Sequence, residues 1–164
     1  MLSALTVRNL KKGRRGIQGL KDKAGIVTGG SSGIGRACVE RLCEEGCSIT
    51  FSGISEIGET TVKELADKGC SVQFVRGDMA EESFCKEIVA AAAEKWGRID
   101  YLVNNAFSFN AKGLDATRAD WDRVMHVGPV AYATMGQLVL PHMKKQGAGA
   151  IVLMSSISAH IGPA

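Results

Sequence analysis

The sequence predicts an α/β domain built on a parallel sheet, and three observations carry that expectation. From Ala24 onward, short β-branched runs alternate with longer stretches of helical period. Glycines stand directly after the first run and at the ends of the helical stretches. Glycine is also in excess, 20 of 164 residues or about 12% against a usual roughly 7%, without a triplet period, so it serves turns and close backbone approaches.

The elements follow in order. Residues 24–28 read as the first strand, and the helix after it, 33–45, places Ile34, Cys38 and Leu42 on one face. Gly46 stops that helix, a strand follows at 48–52, and a second helix at 56–68 gathers Val62, Leu65 and Ala66 before Gly69 stops it in turn. After a strand at 71–76, the helix at 81–96 opens with Glu81 and Glu82 and closes with Lys95, Gly97 and Arg98, the charge order that the helix dipole favours. A strand at 101–104 precedes a long helix that begins around 117–119 and runs to about 146. Gly128-Pro129 disturbs it, because proline cannot donate the intrahelical bond. The last strand is 150–154.

Composition and charge narrow the function classes. With 45% hydrophobic and 23% charged residues the chain can bury a core, and no apolar run approaches the roughly 18 residues of a membrane span, so no membrane partner is expected. The formal charge of +3 is unevenly spread. Residues 1–23 carry Arg8, Lys11, Lys12, Arg14, Arg15, Lys21 and Lys23 against Asp22, a net +6, which leaves 24–164 at −3. A basic tail on an acidic body argues against nucleic-acid binding. The expected division is a basic, disordered leader at 1–19 and a folded domain at 20–164. The five cysteines show neither a C-x-x-C pair nor a histidine at metal-ligand spacing, so no metal site is expected and the thiols are read as reduced and structural. That places the protein in the cytoplasm, with mitochondria as the alternative suggested by the basic leader.

The chemistry concentrates in Thr28-Gly29-Gly30-Ser31-Ser32-Gly33-Ile34-Gly35, between the first strand and the first helix. A glycine-rich turn there lets the backbone approach a pyrophosphate, while the N–H groups that open the helix supply hydrogen bonds and partial positive charge.

These residues and those that follow resemble the short-chain dehydrogenase/reductase family from about residue 20 onward. The family's Thr-Gly-x-x-x-Gly-x-Gly is matched by Thr28 to Gly35, and its adenine-contacting aspartate by Asp78. Asn104-Asn105-Ala106 reproduces three members of Asn-Asn-Ala-Gly. Trp121-Asp122-Arg123-Val124 and Leu140-Pro141-His142-Met143 are similar to the family's long fourth helix, and Ala150 to Ser156 looks like its fifth strand ending in the catalytic serine, here Ser156. The resemblance implies a doubly wound, Rossmann-like parallel sheet in the order 3-2-1-4-5, without the family's C-terminal strands and helices. It implies NAD or NADP as cofactor, held by Thr28, Gly29, Ser31, Ser32, Gly33, Ile34, Gly35, Asp78, Asn104, Asn105 and Ala106.

The implied function is an NAD(P)-dependent oxidoreductase that moves hydride between nicotinamide and a small carbonyl or alcohol substrate. In that family a tyrosine is the acid/base, and a lysine four residues on lowers its pKa. Here the tyrosines are Tyr101 and Tyr132, followed four residues later by Asn105 and Gly136, so these 164 residues contain no such pair. The chain is therefore read as a dinucleotide-binding half that is inactive alone, open to homo-oligomer formation. The alternative is a non-catalytic dinucleotide-binding or interaction protein. Two departures favour it: Phe107 stands in place of the motif glycine, and Gly128 in place of the asparagine of the family's proton relay. At the end of the second strand, Gly53 and Ile54 offer neither the acid that marks NAD nor the base that marks NADP.

Overall fold

The computed structural model describes residues 16, 17, 19–109 and 112–156; most of the basic leader and the segment after Ser156 lie outside them. Five strands, β1 (Ala24–Val27), β2 (Ser48–Gly53), β3 (Ser71–Arg76), β4 (Tyr101–Asn104) and β5 (Ala150–Leu153), alternate with helices α1 (Gly33–Glu44), α2 (Ile57–Ala66), α3 (Glu82–Trp96), α4 (Arg118–Met125) and α5 (Ala131–Gln146). All pairings are parallel and the sheet order is β3-β2-β1-β4-β5. The expected strands stand within a residue of their places, and the sheet is doubly wound.

Side-chain alternation divides the core between the two faces of the sheet. Ile26 and Leu102 pack with Ile88 and Ala92 of α3 and Met135 and Val139 of α5. Val27, Ile49, Phe51 and Val103 pack with Val39 of α1 and Leu65 of α2. Gly25 permits one tight crossing: a Cβ there would lie 2.3 Å from the Tyr101 ring and from its carbonyl oxygen. Tyr101 donates its hydroxyl to Ser48 O at 3.2 Å, and burial raises its pKa well above the usual phenol value.

Gly46 and Gly69 follow their helices with φ of +79° and +82°, a conformation that costs glycine little. The long helix is interrupted where expected, as a π-helical turn over His126–Val130 that contains Pro129. Its start is fixed by a capping box, in which the Thr117 side chain accepts from Asp120 N and Asp120 accepts from Thr117 N.

Two expectations are corrected. The buried stripe of α1 is Gly35 and Val39, with Cys38 and Leu42 only partly covered, and Ile34 is 66% exposed. Gly35 has no side chain, so the first turn of α1 presses onto the glycine loop along that line and rolls Ile34 outward. The thiols are not all reduced: Cys43 and Cys70 form a disulfide with Cα atoms 5.5 Å apart, where the end of α1 meets the approach to β3. Twenty-seven residues separate them in sequence, which no short-range spacing rule would connect. The pair also withdraws the support that reduced thiols gave to a reducing compartment. Among the described residues no helix is long and apolar enough to cross a membrane.

Candidate functional site

The glycine turn after β1 and the Asn-Asn-Ala segment after β4 are locked together by Thr28. Its buried hydroxyl oxygen accepts from the N–H groups of Asn105 at 2.9 Å and Ala106 at 3.0 Å. The Asn105 amide donates in return to the carbonyls of Thr28 at 3.0 Å and Gly29 at 3.3 Å. From the other side β2 holds the turn: Gly29 N donates to Ser52 Oγ at 3.1 Å and Gly30 N to Ser52 O at 2.8 Å. Thr61 of α2 donates its hydroxyl to Ser31 O at 3.2 Å.

The glycines are fixed by contact as much as by conformation. A Cβ on Gly35 would stand 2.1 Å from Gly29 O and 2.5 Å from Asn105 Nδ2. A Cβ on Gly30 would stand 2.6 Å from Phe51 Cβ. Thus Gly35 is pressed on the glycine turn itself, and Gly30 supplies the close approach to the sheet. At the head of α1, Ser32 makes no side-chain cap bond and no acidic residue occupies the first turn. The opening N–H groups are left to meet an anion.

Two neighbouring cavities lie at the carboxyl ends of the strands. The first, about 410 Å³, is lined by Gly29, Ser31, Ser32, Ile34, Gly35, Asp78, Asn105 and Ala106 from the expected set. Residues outside that set also line it: Ser52, Met79, Phe107, Arg123 and Val127 among them. The second, about 750 Å³, is bounded by Gly128, Pro129, Tyr132, Leu153, Met154, Ser155 and Ser156. Ile34, Asn105 and Phe107 belong to both walls. Thr28, Gly33 and Asn104 line neither. Asn104 is fully buried, donates to Tyr132 O at 3.3 Å, and finds no partner for its Oδ1 among the described residues. Ser156 is exposed at the end of β5 on the wall of the larger cavity.

Asp78 sits after β3 and accepts from Ala80 N at 2.9 Å and from Arg123 Nη1 at 2.5 Å. Partial burial pushes its pKa up, but the guanidinium and the backbone N–H outweigh that and hold the carboxyl below its usual range. Arg123 was legible as part of a helix motif but not as this partner, which lies 45 residues away in the chain. Among the described residues no three His, Cys, Asp or Glu side chains gather to hold a metal.

A parallel sheet in this order, with a glycine turn opening onto a helix at the switch between β1 and β4, defines a dinucleotide-binding α/β protein. The pattern of the short chain dehydrogenase family matches residues 23–164. The chain belongs to that family, the short-chain dehydrogenases/reductases. It is 34% identical over 145 residues to dehydrogenase/reductase SDR family member 4 of Caenorhabditis elegans, covering 86% of this chain and 56% of that protein. It is also 34% identical over 142 residues to the probable galactose dehydrogenase GalD of Rhizobium meliloti, covering 85% and 56%. Among solved structures, a 7α-hydroxysteroid dehydrogenase complexed with NADH and 7-oxo glycochenodeoxycholic acid superposes with a TM-score of 0.83 at 30% identity, over 88% of this chain and 57% of that one. The chain spans little more than half the length of these relatives.

Proposed function

We propose that this chain is the dinucleotide-binding half of an NAD(P)-dependent oxidoreductase acting between a carbonyl and an alcohol. The observation that carries this reading is the bonding of the Thr28 hydroxyl to Asn105 and Ala106, which sets the glycine turn and the end of β4 as two sides of one cleft. A nicotinamide dinucleotide, when bound, supplies or accepts the hydride. The first turn of α1 and the turn glycines would hold its pyrophosphate, and they fit it: the opening N–H groups lack a cap, and any side chain at Gly35 would invade the loop. Asp78 would face the adenine end. Ser156 would donate its hydroxyl to the substrate oxygen and orient it, a role that moves no proton by itself. The acid/base tyrosine and its lysine are not among these 164 residues, so the polypeptide made alone is expected to bind without turnover.

The test is titration of NADH into the chain, followed by its fluorescence enhancement. Saturable binding with no carbonyl reduction is the expected result. Failure to bind either NADH or NADPH at millimolar concentration would overturn the reading. The second reading, a non-catalytic relative, is favoured by Phe107 and Gly128. A Tyr-x-x-x-Lys pair encoded soon after Ala164 would exclude it.

A further inference from the structure

Phe107 and Gly128 depart from the family pattern at positions 21 residues apart, and the fold brings them into contact. A Cβ built on Gly128 would lie 3.4 Å and 3.5 Å from Cδ2 and Cε2 of the Phe107 ring. A first carbon at that distance is in ordinary contact, so the rest of an asparagine at 128 would meet the ring. Gly128 is itself buried in the π-helical turn, with Pro129 next to it. The bare backbone is the room in which the ring stands.

The ring is nevertheless not a core side chain, being 58% exposed. It lines both cavities, and with Ile34, 66% exposed, it forms the apolar part of the partition they share. An extended ligand that reached from the glycine turn to Ser156 would have to pass this pair. On the side of the smaller cavity stand the turn, the head of α1 and the Asp78–Arg123 pair, which suit phosphates and a base with an exocyclic amine. On the other side the wall is almost wholly apolar and ends in two serines. Phe109, two residues on and 82% exposed, lines neither cavity, so the position of Phe107 is not a general property of this loop. An exposed aromatic face beside a cleft gains most from a second flat ring laid against it.

We propose, resting on the dinucleotide reading above, that Phe107 is a positioning residue that packs against the nicotinamide half of the ligand, and that Gly128 is side-chain-free in order to admit its ring. The two departures are one coupled exchange: an aromatic wall replaces the family's glycine, and the asparagine opposite is removed to make space.

The experiment compares NADH with ADP-ribose, which lacks the nicotinamide ring, by calorimetric titration of the full chain. Phe107→Gly is expected to weaken NADH about tenfold, within the range of one aromatic–base contact, and to change ADP-ribose by less than about twofold. Phe107→Tyr, which keeps the ring, is expected to retain NADH affinity. Gly128→Asn is expected to weaken NADH in the presence of Phe107 and to do so much less when combined with Phe107→Gly. Equal losses for both ligands in Phe107→Gly, or an unchanged NADH affinity, would overturn the proposal while leaving the dinucleotide reading in place. Absence of ADP-ribose binding to the unsubstituted chain would overturn that reading instead, and the proposal with it.

Discussion

Asp78 and Arg123 lie 45 residues apart and meet at 2.5 Å in the wall of the glycine-turn cavity, joining the turn after β3 to α4. The pair places a carboxylate beside the cavity in one orientation, with one oxygen on the guanidinium and the other on Ala80 N. A carboxylate restrained in this way is a better acceptor for an adenine amine than a freely rotating one.

Removing the guanidinium should therefore act on ligand affinity and on its pH profile. In Arg123→Gln the burial of Asp78 persists while its main opposing charge is gone, so the carboxyl's pKa rises. We expect NADH affinity roughly fivefold lower at pH 7, a modest figure because the pair is partly exposed and screened. On acidification the affinity should fall at a higher pH than in the unsubstituted chain. Titrations between pH 8 and pH 4.5 measure both, and superimposable profiles would remove Asp78 from the ligand's contacts.

Gly35 gives a sharper expectation, because the obstacle is backbone. The alanine Cβ would stand 2.1 Å from Gly29 O, so Gly35→Ala must displace the glycine turn or the head of α1. We expect about 1–3 kcal/mol of lost stability in urea denaturation and at least a tenfold loss of NADH affinity. Gly136→Ala is the control. Nothing lies within 4 Å of that Cβ inside α5, and its helix should gain about 0.5–1 kcal/mol.

These contacts mark how far the sequence could be read. The element bounds and the interruption at Gly128-Pro129 were legible, because each rests on local periodicity, glycine stops or the missing N–H of proline, whereas the sheet order followed only from the family resemblance. What was not legible depends on pairs distant in the chain. The role of Gly30 is set by Phe51, the Cys43–Cys70 disulfide by the meeting of the end of α1 with the residue that precedes β3, and the partner of Asp78 by the placement of α4. Asn104 shows the converse. The motif named it as a ligand contact, yet its side chain is buried toward Tyr132 behind the cavity wall. Phe107 and Gly128 each read as a separate departure, and only the fold shows that they touch.

Asp100 is an electrostatic anchor away from the site. It accepts from Arg98 twice at 2.6 Å, from Ala24 N at 2.9 Å and from Lys23 at 3.2 Å, at the shared origin of β1 and β4. Burial raises its pKa, but Arg98, the Ala24 N–H and Lys23 outweigh burial, so the folded value is below the unfolded one. The stabilisation is present in full above the unfolded carboxylate pKa and is lost as pH falls through the depressed folded value. Asp100→Asn should cost about 2–3 kcal/mol at pH 7, in line with loss of charged hydrogen bonds to a mostly buried carboxylate. The difference from the unsubstituted chain should shrink only below the unfolded carboxylate pKa, and thermal melts at pH 7 and at pH 3 or below test both signs.

Gly53 tests cofactor choice at the end of β2. A Cβ there would lie 2.4 Å from Ser31 Oγ and 3.0 Å from Ser31 Cβ, so the main obstacle is a hydroxyl that can rotate away. Gly53→Asp should therefore fold, and its carboxylate should favour ribose hydroxyls over a ribose phosphate. We expect the ratio of NADPH to NADH dissociation constants to rise at least tenfold. An unchanged ratio would show that the ribose is bound away from Gly53.

The open side of β5 supplies the last prediction. Its inner edge pairs with β4 through Tyr101↔Ala150 to Asn104↔Leu153, and among the described residues no strand pairs with its other edge. Ile151, Val152 and Leu153 are 43%, 46% and 60% exposed, unlike the buried strand β4 beside them. An apolar edge with free N–H and C=O groups is a template for another strand. The 164-residue polypeptide made alone should therefore self-associate as its concentration rises. Val152→Lys places a charge on that edge and should shift the population toward monomer in sedimentation velocity, with little effect on the melt of the remaining sheet. If the unsubstituted polypeptide sedimented as a monomer up to hundreds of micromolar, the edge would have to be covered by a part of the chain outside the described residues.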